Sequence, residues 1–210
     1  MDFALVDRSC VPASGIFQQS AMQPLVQNLS SPRLRLREMR SEDAPTFFQL
    51  VTSDVDTVRY VQWRVQRTVA EAEALVATFL AAAAPGEKLY FVAEDGTGAP
   101  VGFASMKVSG TKAEIGFVVA RARRRQGYAA ELIALLTQAA FRDPLVMRVE
   151  GLCDSENVGS AAAMVKAGFL RDAVLPKHAI HPNLSSESRD LVRYVKDKTP
   201  RQAPVSDSTS

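Results

Sequence analysis

Three short apolar segments separated only by turn-length connections constrain this chain most: Leu89–Ala93, Val101–Val108 and Lys112–Val119. Between the first two lies Glu94-Asp95-Gly96-Thr97-Gly98, a run of turn formers, so the pair predicts a β-hairpin with a third strand beside it. The pattern then changes. A helical period over Gly127–Phe141 precedes a strand over Val146–Leu152, and a helix over Asn157–Lys166 stops at Gly168. Leu34–Arg37 alternates strictly and predicts a strand ahead of the hairpin. A helix is expected from Ser41, with Pro45 in its first turn. Thr68-Val69-Ala70-Glu71 has the spacing of a capping box and opens an Ala-rich helix ending at Pro85-Gly86. Phe169–Val174 and Leu191–Lys196 complete the strands. Hairpins followed by a strand-helix-strand passage imply an α+β chain with three layers: a mixed, mostly antiparallel central sheet with helices on both faces.

The 210 residues are 47% hydrophobic and 23% charged, enough for one domain with a core of its own. Residues 1–31 and 197–210 lack a sustained period and are expected to be a partly flexible extension and a disordered tail around a folded unit of 32–196. No stretch is apolar for long enough to span a bilayer, and the N-terminus lacks the basic and apolar regions of a secretory signal. Two distant cysteines, Cys10 and Cys153, make no disulfide framework and fit a reducing, cytoplasmic setting. With only His178 and His181, a histidine-based metal site is not expected.

The net charge of +2 conceals a local concentration. Arg121, Arg123, Arg124 and Arg125 stand where a strand hands over to a helix. A helix start carries partial positive charge and free N–H groups, so cations there are unfavourable by about 0.3–1 kcal/mol each. A bound anion reverses the sign, because amides, dipole and guanidinium groups would then face one negative charge. Gly127 and Ala129 are small enough for a phosphate to approach the main chain. A solvated basic loop is the plain alternative. A nucleic-acid patch is disfavoured by the near-neutral total.

Arg124-Arg125-Gln126-Gly127-Tyr128-Ala129 fits the pattern Gln/Arg-x-x-Gly-x-Gly/Ala. Ala113–Phe117 precedes it as a strand, and Asn157, Ser160 and Lys166-Ala167-Gly168-Phe169 follow in order. Together these segments resemble the GNAT superfamily of acetyl-CoA-dependent N-acetyltransferases over nearly all of residues 33–196. Pro182-Asn183-Leu184-Ser185 and Arg189-Asp190 resemble its RimJ/RimL-like branch of ribosomal-protein acetyltransferases.

The resemblance implies a sheet splayed at the acetyl-CoA site. Main-chain groups of Phe117, Val118 and Val119 would hold the pantetheine arm. Amides of Arg124, Arg125, Gln126, Gly127, Tyr128 and Ala129 would hold the diphosphate, and Asn157 would contact the pantetheine, although asparagine is also a preferred helix cap. The implied reaction is attack of a primary amine, from a protein N-terminus or a small molecule, on the thioester, with no metal, nucleic acid or membrane involved. The enzyme would be a monomer or homodimer.

Glu114 is the candidate base, against a reading as a sheet-surface carboxylate. Ser160 is the candidate acid, against a local helix role, because Met164 stands where many members carry a tyrosine. That methionine keeps open a second reading, a non-catalytic acyl-CoA sensor. Trp63 is expected to pack in the core, Tyr60 to lie near the acceptor, His178 and His181 to sit exposed in a loop, and Cys153 to be an inert buried thiol.

Overall fold

The computed structural model describes residues 29–83 and 88–199. The helix stop at Pro85-Gly86, Cys10 and most of both expected tails lie outside them. The elements run β1 (Leu34–Glu38), α1 (Ala44–Phe47), α2 (Val69–Ala83), β2 (Lys88–Asp95), β3 (Pro100–Ser109), β4 (Lys112–Val119), α3 (Tyr128–Ala140), β5 (Arg148–Asp154), α4 (Val158–Lys166), β6 (Leu170–Ile180) and β7 (Ser188–Asp197). They form one seven-stranded sheet in the order β1-β2-β3-β4-β5-β7-β6. Every neighbouring pair is antiparallel except β4–β5. The mixed, mostly antiparallel sheet with helices on both faces is therefore the observed architecture. No described helix is long and apolar enough to cross a membrane.

Strand periodicity builds the three layers. Phe91 and Ala93 join a core with Ile115, Leu132 and Leu136 under α3, whereas Val92 between them joins Phe47, Val58, Val76 and Phe103 under α1 and α2. Trp63 packs at the edge of that second core, its ring 5.5 Å from Phe79, as expected for an indole with large burial energy.

The single helix expected from Ser41 is instead three short pieces. A 3-10 turn covers Ser41–Asp43, α1 spans four residues, and a π turn follows over Phe48–Thr52. Pro45 has no N–H for the Ser41 carbonyl, which accepts from Ala44 instead. Thr68 caps α2 through Glu71 N–H at 3.2 Å, but Glu71 reaches back to Arg67 N–H (2.7 Å), one residue beyond the expected box.

The folded body also starts earlier than residue 32. Leu29 is buried in the core and Ser30 bridges to Arg35. At the other end β7 reaches Asp197, and Lys198 N–H donates to Met147. The last two strands are longer than their apolar runs, because β6 continues with alternating polar residues at the sheet edge.

Candidate active site

Between β4 and β5 the parallel ladder runs from Lys112–Arg148 to Ile115–Gly151 and stops. Beyond it the strands separate around a cavity of about 580 Å³. Its walls are the 56–61 loop, Ile115–Val119, the start of α3, Leu152 and Cys153 of β5, and α4.

The phase of the β3–β4 ladder decides which main-chain groups face this opening. Ala120 N–H donates to Val101, and Phe103 lies opposite Val118. The groups of Gly116 and Val118 therefore point to β3, and those of Phe117 and Val119 point into the split. Of the three residues expected to offer free groups, Val118 is thus already paired. Val119 keeps its N–H, because its carbonyl accepts from Arg124 Nε at 3.2 Å.

All four arginines precede α3 rather than entering its first turn. Arg121, Ala122 and Arg123 form a 3-10 turn. Arg121 pairs with Asp56 (2.8 Å) and lies 3.7 Å from Asp54, and Arg123 pairs with Asp95 of the hairpin turn at 3.1 Å. Arg124 reaches Thr57 Oγ1 at 2.8 Å. Among the described residues only Arg125 of the four is left without such a partner, and it lines the cavity. Acids distant in sequence thus relieve the expected electrostatic conflict at two of the four arginines, Arg121 and Arg123.

Arg125 (φ 61°) and Gly127 (φ 85°) are both left-handed. For an arginine that conformation is strained and is held only where neighbours enforce it. Such turns direct successive N–H groups into a concavity suited to an anion. Gly127 is the N-cap of α3 and offers no side chain to the orphan amides behind it. Gln126, expected among the binding residues, does not line the cavity; its side chain turns back to the Ala122 carbonyl at 3.2 Å. The split edge, the uncapped helix start and the cavity volume together suit an extended amide chain ending in a diphosphate.

Asn157 caps α4, its Oδ1 accepting from Ser160 N–H at 3.1 Å, and it lines the cavity as well. Ser160 lies in the first turn of α4 and also lines the cavity. Burial pushes the Cys153 thiol up, and a hydrogen bond with the Ser160 side chain pulls partly against it, so this cavity thiol is protonated at neutral pH. Met164 is buried in the core and does not line the cavity.

Glu114 does not reach the site. It is exposed on β4 opposite Lys107 and Glu150, where the ladders are still closed, and it is absent from the cavity wall. The strand does lead into the cleft, but its side chain leaves the sheet before the split begins.

The outer wall is held by residues that the sequence marked only as resembling the RimJ/RimL-like branch, or as loop positions, without a structural role. Asn183 donates to the carbonyls of Val58 (2.7 Å) and Trp63 (2.8 Å) and accepts from Val65 N–H (2.8 Å), fastening the 58–65 segment to the β6–β7 loop. His181, expected to be exposed, is only 3% exposed. It lies 3.4 Å from Asp154 Oδ2, with its ring edge-on to Tyr60 of the cavity wall. His178 is exposed, but on strand β6 rather than in a loop. Asp154 is fully buried and accepts from Arg189 Nε and Nη2, at 2.6 and 3.1 Å. Burial alone would raise its carboxyl; the hydrogen bonds from Arg189 and Glu156 N–H outweigh this and hold it below the usual range.

A family model described as an acetyltransferase (GNAT) domain matches residues 33–170. The chain belongs to the GNAT acetyltransferase family, whose members use acetyl-CoA as acetyl donor. A curated relative, the uncharacterized N-acetyltransferase YoaA of Bacillus subtilis strain 168, is 24% identical over 157 residues, or 71% of this chain and 86% of its own. Among solved structures, a Salmonella typhimurium acetyl transferase described as modifying the N-terminal serine of ribosomal protein L7/L12 superposes with TM-score 0.70 at 17% identity. That match covers 80% of this chain and 97% of the other. A spermidine N-acetyltransferase of Vibrio cholerae, solved with CoA and spermine, gives TM-score 0.66 at 17% identity, covering 80% and 96%. At these identities the structural likeness is one of fold.

Proposed function

We propose that the chain transfers the acetyl group of acetyl-CoA to a primary amine within the β4–β5 split. The observation that carries this reading is the ladder's stop at Ile115–Gly151, directly beside the uncapped start of α3. The pantetheine amides would pair with Phe117 and Val119, and the diphosphate would meet the amides of the Arg125–Ala130 turn. Thioester carbonyl polarisation falls to a main-chain N–H of the split strand. The neutral amine forms the new C–N bond, the C–S bond breaks, the amine proton passes to solvent, and the leaving thiolate is protonated. Ser160 supports that last step as a hydrogen-bond donor beside the thiol end of the cleft.

The cleft favours an α-amino acceptor. Asp56 is the one carboxylate among the described residues lining it, and Asp56 is paired with Arg121. A polycation finds no free acid there. With no free base, the acceptor must supply its own neutral fraction. An α-amino group titrates near pH 8 and is roughly a tenth neutral at pH 7, whereas an alkyl ammonium titrating near about 10.4 is almost wholly charged. A peptide N-terminus, as acted on by the Salmonella typhimurium neighbour, fits better than spermidine.

Thiol release from acetyl-CoA, with peptides bearing free N-termini set against spermidine and lysine, tests this reading. Turnover should be faster with the peptides, and a spermidine preference would reverse the acceptor assignment. Tight acetyl-CoA binding without turnover on any amine would favour the sensor reading, which the burial of Met164 in place of an acidic tyrosine supports. Ser160→Ala should lower kcat about tenfold, less than the ~100-fold of a dedicated general acid. An unchanged rate would remove Ser160 from the chemistry.

A further inference from the structure

Arg33, which does not line the cavity, makes an unusual set of contacts for a residue just ahead of β1. Its guanidinium grips the Glu131 carboxylate at 2.5 and 2.9 Å, lies 4.9 Å from the Tyr128 ring centroid, and donates to the Gln126 carbonyl at 3.0 Å. Ser31 donates to the other oxygen of Glu131. Burial would raise the Glu131 carboxyl, but the hydrogen bonds from Ser31 and Arg33 outweigh it and keep it ionised.

Gln126 stands between the left-handed residues Arg125 and Gly127, and its carbonyl belongs to the peptide that joins it to Gly127. That peptide is planar and trans, so its C=O and N–H point in opposite directions. Holding the carbonyl outward on Arg33 aims the Gly127 N–H inward, toward the cavity. We propose that Arg33 is a positioning residue for the cofactor's diphosphate: it locks the Gln126–Gly127 peptide so that the Gly127 amide is presented before the ligand arrives. This rests on the assignment of the diphosphate to the turn and adds the element that holds the turn in shape. Arg33 acts through the peptide, because its own charge is committed to Glu131. The planar fork is needed for these simultaneous contacts, and a lysine ammonium does not reproduce it.

Calorimetric affinities for CoA, and for pantetheine by competition against CoA, test the proposal in full-length protein. Wild type should bind CoA far more tightly than pantetheine. Arg33→Met should weaken CoA about tenfold, the scale of one lost hydrogen bond to a binding group, while pantetheine shifts by less than about twofold. Arg33→Lys should recover little of the loss. Glu131→Gln separates positioning from direct contact by sign: a released Arg33 loses its hold on the turn and CoA weakens, whereas a direct phosphate ligand freed from its counter-ion would bind CoA more tightly. A tighter Glu131→Gln complex, full rescue by lysine, or equal losses for both ligands would overturn the proposal. Equal wild-type affinity for CoA and pantetheine would instead overturn the diphosphate assignment beneath it.

Discussion

Asp154→Ala is expected to lower stability by about 3 kcal/mol, the scale of removing one partner from a buried ion pair. For a domain of this size that is a fall in Tm of roughly 6–12 °C. The carboxylate is fully buried, and its loss leaves Arg189 with Glu156 (2.9 Å) as its remaining ion-pair partner and His181 beside an empty pocket. Activity should fall further than stability explains. Asp154 Oδ1 also accepts from Glu156 N–H, and its carbonyl accepts from Asn157 N–H, so it sets the entry into α4 that carries Asn157 and Ser160. Thermal melts and acetyl-CoA affinity of the purified variant check both parts. The pH dependence has a defined sign. The Asp154 carboxyl is depressed below the usual aspartate range in the folded chain, so its stabilisation is present above that range and is lost as pH falls through the folded-state value. The gap in Tm between wild type and Asp154→Ala should therefore narrow in acid. A gap that stays constant to pH 2 would contradict the ion-pair account.

Gly102→Ala should be nearly as damaging, for a steric reason. A methyl group at Gly102 would stand 2.3 Å from the Val118 carbonyl oxygen and 3.1 Å from Val119 Cα. Both are main-chain atoms of the strand that borders the cleft, so the clash cannot be relieved by a rotamer change. The expected cost is about 3 kcal/mol, the upper end for overpacking. Because relief would displace Val118–Val119 toward the split, CoA affinity should fall in parallel with Tm. Gly116→Ala on β4 is the matched control: its nearest atom is the Ser105 hydroxyl at 2.9 Å, a side chain that can turn away. It should cost less than about 1 kcal/mol. Equal melting temperatures for the two variants would show that the β3–β4 contact yields more easily than its geometry implies.

Much of the frame was legible because it is local. The hairpin run, the strand-helix-strand passage and the stop at Gly168 follow from period and punctuation within windows of ten residues. The turn ahead of α3, to which we assign the diphosphate, stood out in the sequence as an excess of positive charge at a helix start. Its relief did not, because Asp56 and Asp95 are 65 and 28 positions from the arginines they pair with. Glu114 shows the same limit at finer scale. Proximity along a strand does not say where the neighbouring strand departs, and the closed ladder at Glu114–Glu150 keeps that carboxylate out of the site. Val118 required the phase of the β3–β4 ladder, which a sequence does not print. The Asp154–Arg189–His181 cluster joins three parts of the chain; Arg189-Asp190 stood out only as a resemblance, and nothing in its own segment pointed to Asp154 or His181 as its neighbours.

The sheet is left unfinished where β4 and β5 part, and thermodynamic linkage follows from that. A ligand that pairs with the free edge of β4 binds the folded chain and not the unfolded one, so it stabilises the fold by an amount set by its concentration. At a hundred times its Kd this is about 2.7 kcal/mol. Acetyl-CoA and the CoA product share the pantetheine and diphosphate that would complete the edge. The lifetime of the folded protein would then track the total CoA pool, while turnover tracks only its acetylated fraction.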